Sequence, residues 1–524
     1  MGNVTSKAKF LLAASLRLRE AYNELSQRLQ APPGIPVPNP TLPFWTVPPS
    51  LISSEGAPLP EHADIVVIGS GITGTSVVYN LLERSYGVKV VMLEARDVCS
   101  GATARNGGHA NPPLYHDYSE LKEKYGESTA KMMVKFRLSH LQEMKHIAES
   151  EDLLKESQVR DTVHVDVFTC PKTFAEAKET LIKWKADMPD ESSTFGYCER
   201  EDAITRFSLS ESTVGCIFGS GGALHPYRLV TSILTKLLDR HSDTFHIATQ
   251  TPCTAITGPT TSSPYYSAIT PRGTVTAAHI IHATNGWSSH LLEPMRTKIV
   301  PVRGTMSAQR PGTSLSASTS DGCRSFVFYR GTSGYDYLTQ LPAGEHELMF
   351  GGGWAQSCDN NLPDIGITDD STFSFASASH LAGALPLYFG ANHWGGEAVP
   401  AGEQDAHWGT GRTKAQWSGI LGISTDNLPW VGRLPAIVAG RVPPPAVPSA
   451  VSEKGAGGLA PSGEWIAAGY SGEGMVHAWM SGKAVAYMLL GRENELTDWF
   501  PDILRVTEKR WKKATVDDLL ARFL

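Results

Sequence analysis

Three glycines and one acid carry the first readable chemistry of this chain. Gly69, Gly71 and Gly74 stand in G-x-G-x-x-G spacing, with Ile72 and Thr73 between the last two. An apolar run, Ile65–Ile68, precedes them and a helix-like segment follows. A second apolar run, Val88–Leu93, then ends on Glu94, 25 residues after Gly69. In a strand–turn–helix unit each glycine has a mechanical task. Gly69 permits the tight turn, Gly71 lets a pyrophosphate approach the backbone, and Gly74 lets helix and strand pack closely. The helix N-terminus offers free N–H groups and a partial positive charge to phosphate. Glu94, followed by Ala95 and Arg96, sits where a carboxylate accepts hydrogen bonds from ribose hydroxyls and repels a 2′-phosphate. The spacing predicts a bound dinucleotide.

The bulk numbers describe what surrounds that unit. A chain of 524 residues, 41% hydrophobic and 19% charged, is long enough for more than one domain. A net charge of −7 argues against nucleic acid as a partner. No apolar run is long enough to span a membrane. Seven widely spaced cysteines form no C-x-x-C pair and no Cys/His cluster, so no metal is expected and reduced thiols of a cytoplasmic protein are the simplest account. The start, Met1-Gly2-Asn3-Val4-Thr5-Ser6, matches a myristoylation pattern. Residues 5–30 read as an amphipathic helix with Leu11, Leu18, Tyr22, Leu25 and Leu29 on one stripe and a basic bias from Lys7, Lys9, Arg17, Arg19 and Arg28. Such a segment either contacts a membrane peripherally or docks on its own domain.

Along the chain, periodicity predicts an α/β protein, α+β overall. A Rossmann-type nucleotide-binding domain is built from discontinuous segments (61–112, 215–300 and 415–500), and a β-rich substrate domain (113–214 and 301–414) is inserted between them. The helix 1–31, a Pro-rich tether 32–60 and a helical tail 501–524 complete the order. Helices are expected near Tyr118–Glu151, Thr173–Trp184, Tyr227–Asp239, Ser371–Leu385 and Met475–Leu490, with a clear strand at Val275–Ala283. Pro435–Gly463 reads as a mobile surface insertion.

Further motifs follow in order: Ser100-Gly101-Ala102-Thr103-Ala104-Arg105-Asn106-Gly107-Gly108-His109; Ala283-Thr284-Asn285-Gly286-Trp287; Pro301-Val302-Arg303-Gly304; Trp417-x-Gly419 with Thr425-Asp426-x-x-Pro429-x-x-Gly432; and Gly469-Tyr470-Ser471-Gly472-Glu473-Gly474-Met475. With the glycine turn, these resemble the FAD-dependent amine and amino-acid oxidoreductases of the D-amino-acid oxidase, glycine oxidase and sarcosine oxidase superfamily, glutamylputrescine-oxidase-like members in particular. The likeness covers roughly Ala63 to Gly491. It implies an FAD site that adds Ser100, Ala102, Thr103, Arg105, Asn106, Gly107, Gly108, Cys253, Ala283, Thr284, Gly286, Trp287, Gly469, Gly472, Glu473, Gly474 and Met475 to the glycine turn and Glu94–Arg96. The small 100–109 loop can lie against a flat ring. Arg105 is expected over that ring, or offsetting the charge of reduced flavin. The turn at Gly472–Gly474 is expected to aim a helix N-terminus at the flavin edge, which favours FAD over NAD. Relatives with covalently attached flavin often carry a His where Arg105 stands, so the expected FAD is non-covalent, with His109 the fallback attachment site.

The resemblance implies a flavoenzyme that oxidises the C–N bond of a small amine or amino acid by hydride transfer to flavin N5. The imine then hydrolyses and O2 is reduced to H2O2. The alternatives are a dehydrogenase passing electrons to a quinone or protein acceptor, and a flavin-bearing protein without turnover. Arg330, Tyr470 and His109 are the catalytic candidates, Arg330 as clamp for a substrate carboxylate or as the cation that assists reoxidation. Tyr337, Trp354 and His225 are further candidates for the pocket wall.

Overall fold

The computed structural model describes residues 2–52, 58–260, 263–315, 322–331, 334–355, 362–397, 407–444 and 458–523. The strand His62–Ile68 is apolar on both faces because it lies inside a parallel sheet covered on both sides. Its neighbours are Val90–Leu93 and Gly273–His282, both parallel to it. Phe245–Ala248 continues the sheet on one side, and Gly463–Ala468 with Trp430–Arg433 on the other. One face is covered by the helices Ile72–Leu82 and Ala478–Leu489, which cross at small residues. A Cβ on Gly482 would meet the Thr73 carbonyl at 2.7 Å, and the Ser76 hydroxyl donates to the Trp479 carbonyl at 2.6 Å. The hairpin Ala255–Thr257 and Tyr266–Thr270 pairs antiparallel with the first half of Gly273–His282.

A second eight-stranded sheet runs in the order Thr413–Ser424, Ile299–Gln309, Leu348–Gly352, Tyr335–Gln340, Arg324–Tyr329, Arg160–Phe168, Gly215–Ala223, Gly196–Glu199. Only the pairing of Arg324–Tyr329 with Arg160–Phe168 is parallel. Phe326 and Phe328 point from one face into a cluster with the helix Phe375–Trp394, where the Tyr388 ring stacks on Phe328 at 4.0 Å. The opposite face looks toward the nucleotide sheet. Gly215–Ala223 and all but the first two residues of Thr413–Ser424 fall inside segments expected to build the nucleotide domain, yet both are strands of this second sheet. Long-range pairing, which a local pattern does not contain, made that choice.

Local boundaries differ for identifiable reasons. The helix expected over Tyr118–Glu151 is two helices, Leu114–Tyr125 and Glu127–Ser150, broken at Gly126 with φ +86°. The last core helix begins at Ala478 rather than Met475, after a single 3₁₀ turn at Gly474–Val476. Much of the Pro435–Gly463 insertion (445–457) lies outside the described residues.

The N-terminal helix, Gly2–Gln30, divides its stripe. Leu25 and Leu29 are buried against Val300, Val302, Ile365, Ile423, Leu519 and Leu520, whereas Leu11 and Tyr22 stay exposed; the side chain of Leu18 lies outside the description. The Pro-rich segment after it is no free tether. Thr41 donates from both its amide and its hydroxyl to the Asp370 carbonyl, at 2.8 and 2.9 Å. The Trp45 indole donates to the Asn106 carbonyl at 2.6 Å.

The fastening point is Asp370, whose side chain is completely buried. Arg96 donates to both of its oxygens at 2.9–3.1 Å, and the Arg105 guanidinium lies 3.4 Å away. The same two arginines bond the Val37 carbonyl, the Thr41 carbonyl and the Ser418 carbonyl, so tether, nucleotide loop and second sheet meet at one carboxylate. Removing that carboxylate strands two buried guanidinium groups. Asp370→Ala is expected to lower stability by about 3–5 kcal/mol in a urea titration. A loss under about 1 kcal/mol would show that the pair does not fasten the three elements.

Candidate active site

The glycine turn has the build that the spacing predicted. Gly69 adopts φ +105°, and a Cβ there would sit 2.7 Å from the Ala283 carbonyl. A Cβ on Gly74 would meet the Gly69 carbonyl at 2.0 Å, so strand and helix pack at a distance only glycine allows. The Ile72 amide, at the start of the helix, donates to the Thr103 hydroxyl at 3.0 Å. Glu94 is buried at the end of its strand. One oxygen accepts from the Ser70 amide and hydroxyl at 3.1 and 2.6 Å, the other from the Arg96 amide at 3.1 Å.

These groups line a cleft enclosing about 1240 Å³, its open mouth included. Of the residues singled out from sequence, Gly69, Gly71, Ile72, Thr73, Glu94, Ala95, Arg96, Ala102, Thr103, Asn106, Cys253, Ala283, Thr284, Trp287, Tyr470, Gly472, Gly474 and Met475 line it. Cβ atoms built on Gly101 and Gly472 would meet nothing within 4 Å, which leaves room there for a ligand. Tyr470 bonds the Thr73 hydroxyl at 2.9 Å, and burial pushes its own hydroxyl upward in pKa. Gly74, Ser100, Gly107, Gly108, Gly286 and Gly469 stand one layer behind and hold the wall. The Thr339 hydroxyl, for instance, donates to the Gly107 carbonyl at 2.6 Å.

Arg105 departs from its expected role. It does not reach the cleft; Asp370, the Ser100 carbonyl, Thr41 and the Ser418 carbonyl take up its donors, and burial lowers it to about 10. A charged loop arginine that finds a buried partner is structural, and sequence spacing gave no sign of Asp370. Arg330 departs as well. It shares strand parity with Phe326 and Phe328, so it lies on the face covered by the helix Phe375–Trp394, 5.9 Å from the Tyr388 ring. Trp354 packs with Leu25 and Val300 under the N-terminal helix. His225 caps the helix Pro226–Arg240 by accepting from the Arg228 amide at 3.3 Å.

On the face away from the helix Phe375–Trp394, the second sheet presents a row of rings. Tyr329 pairs with Tyr335 across neighbouring strands, their centroids 5.8 Å apart; Tyr335 lies 6.4 Å from Tyr337, and Tyr337 lies 5.3 Å from His109. Burial lowers His109 to about 3, so its ring is neutral. Tyr335 keeps 49% of its surface accessible. The Tyr329 hydroxyl bonds His116 at 3.0 Å, and His116 in turn meets Asp166 at 3.3 Å. Glu473 does not line the cleft; it lies 3.6 Å from the Arg137 guanidinium.

The cleft is thus a dinucleotide cradle, and the row of rings stands on the second sheet behind Gly107. Residues 64–488 match the family described as DAO, FAD dependent oxidoreductase. The chain belongs to that family. Among curated proteins it is similar to gamma-glutamylputrescine oxidoreductase of Escherichia coli, 25% identical over 240 residues, 45% of this chain and 52% of that protein. The chain spans about half the length, or less, of the curated relatives it matches. Its fold is similar to glycine oxidase from Geobacillus kaustophilus (TM-score 0.60, 16% identity, 86% of this chain and 99% of that one). It is also similar to L-amino acid deaminase from Proteus myxofaciens (TM-score 0.58, 13% identity, 92% and 99%).

For an FAD-dependent oxidoreductase the cradle fits. Gly69, Gly71 and Ile72 would take the pyrophosphate, Glu94 the ribose, and Thr103, Gly472 and Met475 the flavin end. Among the lining residues that sequence reasoning missed are Gly34, Ile35 and Pro36, from the Pro-rich segment. Nothing in a proline-rich stretch signals what it folds against. Tyr329 and Tyr335 were also missed, although their alternation with Phe328 and Arg330 carried the parity. Because Gly74 has no space for a side chain, Gly74→Val is expected to yield protein that purifies without its yellow absorbance. Full flavin content in that variant would refute the close-packed cradle.

Proposed function

We propose that this protein oxidises the C–N bond of a small amine or amino acid, the imine product hydrolysing in water and O2 being reduced to H2O2. Bound FAD supplies the hydride acceptor that this chemistry needs. The observation that carries the reading is the cradle itself: one cleft lined by Gly69, Gly71, Glu94 and Thr103 at one end and by Gly472, Gly474 and Met475 at the other. The names of similar proteins, gamma-glutamylputrescine oxidoreductase and glycine oxidase, support the same substrate class. The chain's own part is orientation and exclusion of water. Arg105, engaged by Asp370, leaves no attachment chemistry at its position, which supports non-covalent FAD. Anaerobic mixing with a pool of amines and D- and L-amino acids is expected to bleach the visible flavin band, and readmitted air to restore it with peroxide released. Acid precipitation should leave a colourless pellet. A band that persists with every pool member would refute amine oxidation; bleaching without peroxide would favour a dehydrogenase.

One observation favours that second reading, in which electrons pass to a membrane acceptor. The first turns of the N-terminal helix expose Phe10, Leu11, Leu12 and Leu16. Lys7, Lys9, Arg17 and Arg19 accompany them, with no acid before Glu20. An apolar face with a basic flank is the make-up of a helix lying on an acidic lipid surface. The full chain is expected to co-sediment with vesicles containing phosphatidylserine at low salt, and Phe10→Ser with Leu12→Ser to abolish this. Equal sedimentation of wild type and variant would refute the contact.

A further inference from the structure

We infer that Gly34, Ile35 and Pro36 are cofactor-binding residues: the Pro-rich segment is a strap that closes the adenosine half of the FAD cleft and slows release of the cofactor. The inference concerns the FAD on which this family depends. It goes beyond the proposed amine oxidation and stands whatever the substrate is.

The strap meets the cleft at a definite end. Gly34, Ile35 and Pro36 line the same cleft as Gly69, Gly71 and Glu94. The next residue, Val37, accepts at its carbonyl from the Arg96 guanidinium at 3.3 Å. Arg96 follows Glu94 by two positions, and its amide donates to the Glu94 carboxylate at 3.1 Å. Two residues of chain span roughly 7 Å at most, so Ile35 cannot lie far from the Val37 that Arg96 holds. The strap therefore enters beside the acid that would take the ribose. A second segment borders the same acid. The Thr251 amide donates to the Glu94 carbonyl at 2.8 Å, and the following Pro252 and Cys253 line the cleft. Ile35 and Pro36 from one segment, with Pro252 and Cys253 from another, give this end the apolar lining that a flat base needs.

The strap is held on both sides and is stiff between its anchors. Before it, Leu29 is buried, and the Arg28 guanidinium donates to the Pro363 and Leu362 carbonyls at 2.6 and 3.1 Å. After it, Arg96 holds Val37, and Thr41 bonds the Asp370 carbonyl through amide and hydroxyl. Between Arg28 and Thr41 stand five prolines: Pro32, Pro33, Pro36, Pro38 and Pro40. Each fixes its own φ, so keeping the segment closed costs little conformational entropy. Gly34 bends the chain just before Ile35, with φ +73°, a conformation that side chains disfavour. Ile35 lines the cleft yet keeps 43% of its surface accessible, apolar area available to a ligand. A cofactor covered in this way leaves only when the strap lifts.

The full-length yellow protein carrying Ile35→Ser together with Pro36→Gly is compared with wild type. FAD release is read from the rise in flavin fluorescence after dilution, and circular dichroism checks the fold. The variant is expected to release FAD about tenfold faster or more, the scale of losing one apolar side chain's burial. A second measurement needs no variant. FAD in the wild-type protein is exchanged for an analogue with an azide on the adenine ring, the sample is irradiated, and mass spectrometry locates the label. Label on residues 33–37 is expected. An unchanged release rate in the folded variant, or label confined to residues outside the strap, would overturn the inference. If the variant fails to fold, the position of the label decides alone. A protein that holds FAD but labels elsewhere counts against the strap only; a protein that retains no FAD counts against the cradle itself and the strap with it.

Discussion

Two buried guanidinium groups converging on one buried carboxylate set the architecture of this protein. Arg96 belongs to the loop after the second nucleotide strand and Arg105 to the loop that should face the flavin. Asp370 belongs to the segment leading into the helix over the second sheet. Charges of this kind are costly to bury singly and tolerable only when paired and fully hydrogen-bonded. The chain must therefore bring residues 274 positions apart into contact, as Arg96 and Asp370 are. That requirement also draws in Thr41 and Ser418, whose backbone groups complete the bonding of Arg105. The Pro-rich strap, the nucleotide loops and the second sheet are tied together at this one arrangement.

The consequence for function is geometric. Because the strap is fixed at Val37 and Thr41, residues Gly34–Pro36 lie over the nucleotide cleft. Because the 100–109 loop is fixed at Arg105 and Asn106, its small residues form the cleft floor while Gly107 backs against Tyr337. The second sheet then turns its tyrosine face toward the 100–109 loop, where Tyr337 meets Gly107, and its phenylalanine face toward the helix Phe375–Trp394. Sheet parity decides which side chains can meet a substrate: a one-residue slip would exchange Tyr329 for Arg330.

Positive groups near the cleft are consumed by buried partners, Arg96 and Arg105 by Asp370 and Arg137 by Asp117 and Glu473. Fold likeness below 20% identity, as with the solved structures here, carries the scaffold and not the chemistry of the site.

The glycine turn, the acid after the second strand, the helical N-terminus and the order of the motifs were legible in the sequence, because each is enforced within a few residues. A Cβ at Gly74 collides with Gly69 whatever the rest of the chain does. The division of strands between sheets, the fate of Arg105 and Arg330, and the strap were not legible. Each depends on a partner far along the chain: Cys216 pairs in the second sheet because Val167 lies beside it, and Arg105 turns inward because Asp370 is there. Local sterics act through adjacent residues and leave a pattern in the sequence. Ion pairing and strand neighbours act through space, and only the folded chain decides them.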